Sequence, residues 1–195
     1  VSIGRGGADL HTALAGLFTA LAQDSAAALR QRLRLHFLGT SYAPAGQGQP
    51  TIAPLAQHYG LGSIVQEHPD RLPLSTALAC LKAADALLVI GSNDPAYTAS
   101  KLYPYLLAQR PLLAIMHRNS SVCEVLQRCG GGRLATFDAT TSSQQLADQI
   151  SQIWLRADQH ATITPLDRQA FYPHTAEAQA QQLVQFFRQC LRNAA

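Results

Sequence analysis

The sequence predicts a doubly wound, Rossmann-like α/β domain, in which a single parallel sheet of about six strands carries helices on both faces. Short apolar runs alternate with longer amphipathic segments about six times, and this alternation is typical of parallel sheets. The run at 86–90 is apolar throughout, as expected of a central strand. With 195 residues, of which 47% are hydrophobic and 14% charged, the chain can bury one sizeable core.

The strands are predicted from apolar runs and the helices from apolar residues that recur every three or four positions, as at Leu10, Leu14 and Leu17. The connection 160–173 shows no strong periodicity. Strands are predicted at 1–3, 33–38, 63–66, 86–90, 111–116 and 133–137. Helices are predicted at 10–23, 54–59, 74–84, 100–109, 121–129, 143–155 and 175–191.

Charge and cysteine content exclude several classes of function. The formal net charge of +3 is too small to indicate a nucleic-acid-binding surface. The four cysteines show neither CxxC pairing nor a histidine spacing suited to zinc, so we expect reduced cysteines and no metal site. No signal peptide and no membrane-spanning run is visible. We expect a cytoplasmic protein. Val1 begins in what looks like a strand, so we expect the chain to come from a longer parent protein, and any peripheral contact with the inner face of the membrane would be made through that parent.

The turn Gly4-Arg5-Gly6-Gly7, directly after the first predicted strand, is the first candidate anion site. Glycines let a ligand approach the backbone, and the free N–H groups before a helix favour an anion. Arg5 has the geometry for a bidentate contact with phosphate. Asp9 stands where a dinucleotide fingerprint needs its third glycine, which disfavours an NAD-type site. The alternative is an ordinary glycine-rich turn.

The polar loop 91–101, which follows the most apolar strand, is the second candidate. It leads into a predicted helix, where Thr98 or Ser100 is expected to act as the N-cap. The N–H groups of the first turn, together with Lys101, would form a seat for a pyrophosphate group. The alternative is a capped turn with a solvated lysine. Lys101 and Lys82 are the only two lysines in the sequence.

The segment 100–114, SKLYPYLLAQRPLLA, resembles the SKLYEYLAAGKPVLA stretch of GT-B glycosyltransferases, in particular the GT4-like group. The Gly4-Arg5 turn and the helix and strand at 74–90 are also similar to that family, and the resemblance extends over about 1–140. It implies that 1–195 is the C-terminal, nucleotide-sugar-binding domain of an enzyme that transfers a sugar from a nucleoside-diphosphate sugar to an acceptor. The N-terminal acceptor domain would be missing from this chain.

The resemblance also implies where the donor binds. It implies neither metal nor cofactor, because amide groups and cations would stabilise the leaving diphosphate. It identifies no catalytic residue, and the acceptor-activating base would lie in the missing domain, so we expect the chain to bind nucleotide without turnover. The nucleoside would lie near Glu67, His68 and Pro104. The positions facing the diphosphate and sugar would be Gly4, Arg5, Gly6, Gly7, Asp94, Tyr97, Thr98, Ala99, Ser100 and Lys101.

Two departures from the family pattern leave other functions open. Pro104 stands where the family usually has a ribose-binding glutamate, and Ala96 stands where many members have a second acid, so Asp94 or Tyr97 would have to substitute. A non-catalytic relative, an oxidoreductase Rossmann domain and a partner-binding module are the alternatives. The last would use Trp154 and the apolar side of the final helix. That side carries Leu183, Phe186, Phe187, Cys190 and Leu191.

Overall fold

The computed structural model describes residues 1–193, except for the side chains of residues 157–159 and 193. Two parallel three-stranded sheets are present in this part of the chain, with the orders β1-β2-β3 and β4-β5-β6. Their registers are continuous over each strand pair. The strands are β1 (Ser2–Ile3), β2 (Leu35–Leu38), β3 (Val65–His68), β4 (Leu87–Ile90), β5 (Leu112–His117) and β6 (Arg133–Phe137).

The two sheets meet at the first residue of the chain. The Val1 ammonium group donates to the Ala86 carbonyl at 2.8 Å, and the Leu88 N–H donates to the Val1 carbonyl at 2.8 Å. This is the hydrogen-bond pattern of neighbouring parallel strands, so β1 lies beside β4. The strand order becomes 3-2-1-4-5-6, which is that of a doubly wound Rossmann fold. The predicted fold class is confirmed.

Beyond Val1 the two sheets separate, and a side chain fills the gap. The Ile3 N–H donates to the Tyr105 hydroxyl at 2.6 Å, and that hydroxyl donates to the Ile3 carbonyl at 3.2 Å. Tyr105 therefore satisfies the backbone groups that β4 would otherwise satisfy. The strand order reverses between β1 and β4, and their carboxyl ends diverge around the Tyr105 ring.

Nine α-helices accompany the strands in the described residues. Single-turn 3-10 segments precede α1 and α2, and a π-helical turn at Ser151–Leu155 extends the seventh helix. The helices are α1 (His11–Ala22), α2 (Ala27–Arg32), α3 (Ala53–His58), α4 (Leu74–Ala83), α5 (Leu102–Leu107), α6 (Ser121–Cys129), α7 (Ser143–Ile150), α8 (Arg168–Phe171) and α9 (Ala176–Asn193).

Alternate residues of the central strands face two separate cores, as expected of a sheet covered on both faces. Leu88 and Ile90 face the core formed with α1 and α7. Leu87 and Val89 face the core formed with α5 and α6. Helices α1 and α7 pack so closely that a Cβ atom at Gly16 would lie 2.5 Å from the Leu146 side chain. A glycine is therefore required there.

The structure differs from the sequence predictions in several places; one is α8, which lies within the connection 160–173, where no helix was predicted. Strand β3 begins two residues later than predicted and continues through polar residues, because it is an edge strand with partly exposed side chains. Helix α2 was not predicted; the Arg30 guanidinium holds it by donating to the Leu21 and Gln23 carbonyls at the end of α1. Trp154 is buried in the core, which removes it from the predicted partner surface.

The last helix leaves its apolar side uncovered by the described part of the chain. Ala178, near its start, is buried, whereas Phe186 and Phe187 are 58% and 55% exposed. Leu183 and Leu191 are also exposed. None of the helices in the described residues has the length and apolar character needed to cross a bilayer.

Candidate functional site

The two loops singled out in the sequence lie side by side, at the carboxyl ends of β1 and β4. The Asn93 N–H donates to the Asp9 carbonyl at 2.7 Å and ties the second loop to the first. The Lys101 side chain extends to the first turn, and a Cβ atom at Gly4 would lie 3.5 Å from Lys101 Nζ. Ligands of doubly wound sheets bind where the strand order reverses, which is the position of these loops.

Lys101 brings an uncompensated positive charge to this position. The residue is partly buried, and its ammonium group lies against the first turn. Burial, with a smaller contribution from the Arg5 charge, lowers the pKa of Lys101 to about 8. Among the described residues no carboxylate forms an ion pair with it. A partly buried charge without a partner is unfavourable, and a bound anion would offset that cost.

Arg5 differs from the prediction because its guanidinium already holds a carboxylate. Nη1 and Nη2 of Arg5 donate to the two Asp9 carboxylate oxygens at 2.7 Å and 2.5 Å. The guanidinium also lies 5.3 Å from the centre of the Tyr97 ring. The hydrogen bonds from Arg5 are the largest cause that lowers the pKa of Asp9 to about 2. The bidentate contact predicted for a phosphate is made by Asp9 here.

The backbone of the first turn supplies fewer donors than its glycines suggest. The Gly4 N–H donates to the Leu38 carbonyl at 2.9 Å, and the Gly6 N–H donates to the Thr40 carbonyl at 2.7 Å. These bonds continue the β1–β2 ladder past the end of the strands. Within the described residues, the Arg5 and Gly7 N–H groups have no acceptor. Alternate amides of the turn are therefore available to a ligand.

The second loop reaches α5 without the predicted side-chain cap. The Ser92 hydroxyl accepts from the Asp94 N–H at 3.1 Å, and the Asp94 carboxylate accepts from the Ala96 N–H at 2.9 Å. Helix α5 begins at Leu102 with Lys101 as its N-cap and no side-chain hydrogen bond, so the prediction that Thr98 or Ser100 caps it is wrong. The N–H groups of residues 98–101 have no acceptor in the described part of the chain.

The predicted nucleoside-binding residues have different surroundings. Glu67 accepts at 2.6–3.0 Å from the Thr40 hydroxyl and from three N–H groups at the start of α3, in residues 51–53. Its carboxylate is thus engaged within the fold, and its contact with a nucleoside stays a prediction. Pro104 is partly exposed in the first turn of α5. His68 lines a surface cavity with Gly46, Gly48, Pro69 and Asp70.

Sequence reasoning missed the roles of Asp9, Tyr105 and Gln109. Asp9 was noted only as a failed glycine position, and Tyr105 only as one letter of a motif. Gln109 has a φ of 53° after α5, a left-handed conformation that is usual for glycine at a helix end. The family stretch quoted above has glycine at this position, which was the available signal. No group of three or more potential metal ligands occurs within the described residues.

Comparison with solved structures identifies the same fold in larger proteins. HepE from Anabaena in complex with UDP superposes with a TM-score of 0.63 at 16% identity, over 96% of this chain and 48% of HepE. Sucrose-phosphate synthase from Thermosynechococcus elongatus gives 0.63 at 18% identity, over 100% of this chain and 46% of that one. WaaG, a glycosyltransferase involved in lipopolysaccharide biosynthesis, gives 0.57 at 19% identity, over 82% and 39%.

These likenesses establish the fold, which is that of the C-terminal domain of GT-B glycosyltransferases. The chain spans about half the length of the solved proteins it matches. HepE has also been solved with UDP-glucose. No protein-family model and no curated protein sequence matches the chain.

Proposed function

We propose that this chain is the donor-binding half of a GT-B glycosyltransferase and binds a nucleoside-diphosphate sugar between the ends of β1 and β4. The observation that carries the proposal is the ammonium group of the partly buried Lys101, which lies against Gly4 and has no carboxylate partner among the described residues. A diphosphate supplies the missing negative charge. The UDP complexes of HepE, which has the same fold, support this choice of ligand class.

In the proposed complex, the diphosphate lies against Lys101 and the free amides of both loops. The Arg5 and Gly7 N–H groups approach it from the first turn, and those of residues 98–101 approach it from the second. Fixed donors of this kind stabilise the negative charge that develops on the leaving diphosphate, without needing a metal ion. Asp94 and Tyr97 are the proposed partners of the sugar or ribose. The nucleoside extends toward the carboxyl end of β3 and the cavity beside His68.

The acceptor site and the acceptor-activating base are proposed to lie in another part of the parent protein. This is in keeping with the chain's coverage of about half of HepE. On this proposal the chain alone binds nucleotide but transfers no sugar. A cytoplasmic location agrees with the four cysteines, all of which are free thiols in the structure.

Calorimetric titration with UDP, GDP and ADP tests the proposal. We expect one of them to bind the wild-type chain with a Kd below about 1 mM. Lys101→Met should weaken that binding by about 10- to 100-fold, because a hydrogen bond to a charged group is lost. Lys82→Met is the matched control, since Lys82 is the other lysine and is exposed on α4; its Kd should stay within about twofold of wild type.

A non-catalytic relative that no longer binds a donor is the second candidate function. Pro104 and Ala96, in place of the acids expected from the family resemblance, favour it. The same titration separates the two candidates. A folded wild-type chain that binds none of the nucleoside diphosphates would support this second candidate and contradict the first.

A further inference from the structure

The Arg5 guanidinium is the group in the site best suited to bind phosphate, and it is already paired with the Asp9 carboxylate. Both terminal nitrogens of Arg5 donate to Asp9, at 2.7 Å and 2.5 Å, in the parallel geometry that guanidinium also forms with phosphate. The two side chains lie in the first turn and the 3-10 segment after it, and both are partly exposed. A ligand can therefore reach the pair from solvent.

The backbone of Asp9 is held in place independently of its carboxylate. The Asp9 carbonyl accepts from the Asn93 N–H, which fixes the main chain against the second loop. The buried Ser92 hydroxyl lies near the carboxylate and helps to lower the pKa of Asp9. The carboxylate can thus leave Arg5 by side-chain rotation while the main chain stays in place.

We infer that the Asp9 carboxylate is an internal competitor for the donor diphosphate, which binds Arg5 by displacing it. The inference rests on the proposed function and adds to it the group that controls access to Arg5. Arg5 exchanges one anion for another, so its guanidinium is paired in both states, and the loss of the ion pair by the Asp9 carboxylate is the cost of the exchange. The exchange involves no covalent step.

The site contains one unpaired cation, Lys101, and one paired cation, Arg5, and this combination favours a diphosphate over a single phosphate. Lys101 is unpaired and takes the first phosphate, which brings the second phosphate of the same molecule to Arg5 at high effective concentration. A single phosphate held by Lys101 has no such advantage against the Asp9 carboxylate, which is permanently present. Arg5 therefore contributes to the binding of diphosphates and not to that of single phosphates.

A double-mutant cycle with inorganic pyrophosphate as the probe tests this exchange. Calorimetry is carried out on the wild-type chain, Asp9→Asn, Arg5→Gln and the double variant. We expect Asp9→Asn to tighten pyrophosphate binding by about tenfold, because Arg5 no longer has a competing carboxylate. In the Arg5→Gln background the same change should have an effect of less than about twofold. Asp24→Asn, beyond the end of α1, controls for the change in net charge.

Inorganic phosphate provides the second arm of the test. Arg5→Gln should weaken pyrophosphate binding by about tenfold and leave phosphate binding within about twofold. Thermal unfolding of each variant checks that the fold is retained. If Asp9→Asn weakens pyrophosphate binding or leaves it unchanged, or if its gain persists without Arg5, the inference is wrong.

The outcomes also separate this inference from the proposed function. If nucleotide binding depends on Lys101 while Asp9→Asn changes nothing, only the competition is overturned. If no variant, including Asp9→Asn, binds pyrophosphate or nucleotide, both are overturned. If Asp9→Asn binds pyrophosphate and the wild-type chain does not, the competition is supported in its strongest form.

Discussion

At the scale of single residues, Lys101 destabilises the folded chain and is also the proposed binding group for a diphosphate. The residue is partly buried, and desolvation together with the Arg5 charge disfavours protonation of its amino group. The pKa of Lys101 in the folded chain is about 8, below its ordinary value of 10.5. Because the unfolded chain holds this proton more tightly, the group opposes folding below pH 8. A residue retained at such a cost is typical of a binding site.

This cost predicts how stability depends on pH. Between pH 8 and 10.5 the unfolded state binds more protons at Lys101 than the folded state does, so this group makes folding more favourable as the pH rises. Lys101→Met should therefore raise the free energy of unfolding by about 1–3 kcal/mol at pH 7. The gain should disappear above pH 10.5.

Urea unfolding across this pH range measures the difference between the variant and the wild type. Lys82→Met is again the control and should show no such dependence, because Lys82 is exposed. A Lys101→Met chain that is less stable than wild type at pH 7 would mean that the ammonium group has a stabilising partner, and would count against an anion site at this position.

At the scale of elements, the seam between β1 and β4 determines where a ligand can enter. Two hydrogen bonds at Val1 join the strands, and the Tyr105 hydroxyl then takes both backbone groups of Ile3. Helix α5 thereby holds the strands apart and brings Lys101, its N-cap, to the opening. A single side chain thus couples the position of the helix to the geometry of the crevice.

Tyr105→Phe should cost about 1–3 kcal/mol of stability, because it leaves two backbone groups without their partner. It should also speed hydrogen exchange at the Ile3 amide. Urea unfolding and exchange measured by NMR check both effects. Tyr103→Phe is a matched control in the same helix and should have a small effect, since Tyr103 contacts Phe171 and His174 through its ring. Equal costs for the two variants would refute the role of the Tyr105 hydroxyl.

The accuracy of element prediction followed the amount of apolar surface that each element buries. Strand β6 and helix α6 were predicted at their observed bounds, since both pair regular apolar spacing with clear ends. Helix α2 buries none of its side chains, so it leaves no periodic signal. The start of α3 is held by the Glu67 carboxylate of strand β3. This contact joins two segments, and the sequence of neither segment reveals it.

At the scale of the whole molecule, the open side of α9 indicates a surface that is covered in a larger assembly. Four large apolar side chains on this helix are more than half exposed, at 53% for Leu183, 58% for Phe186, 55% for Phe187 and 73% for Leu191. Exposed apolar patches of this kind mark protein contacts or sites of self-association. The rest of the parent protein is the proposed cover.

We expect the isolated chain to self-associate through this side of α9. A Phe186→Gln/Phe187→Gln double variant should remain monomeric at concentrations where the wild-type chain forms dimers or larger species, as measured by sedimentation equilibrium. The control is Leu74→Gln/Leu78→Gln, which changes two exposed leucines on α4 and should not alter association. Wild-type chain that is monomeric at about 100 µM would contradict the prediction.

The sequence by itself determined the six strands, seven of the nine helices of the described residues, and the two loops of the site with Lys101 and Arg5 in them. The spacing of apolar residues and the glycine or polar residues that end each element are local properties, so they can be recognised along the chain. Only the tertiary structure decided that Lys101 lies at Gly4 and that the Arg5 guanidinium is paired with Asp9. It also decided that the Tyr105 hydroxyl bonds to the backbone of Ile3 between the two sheets. The Ile3–Tyr105 contact joins residues 102 positions apart. No local pattern specifies such a pairing, because it depends on how whole helices pack against the sheet.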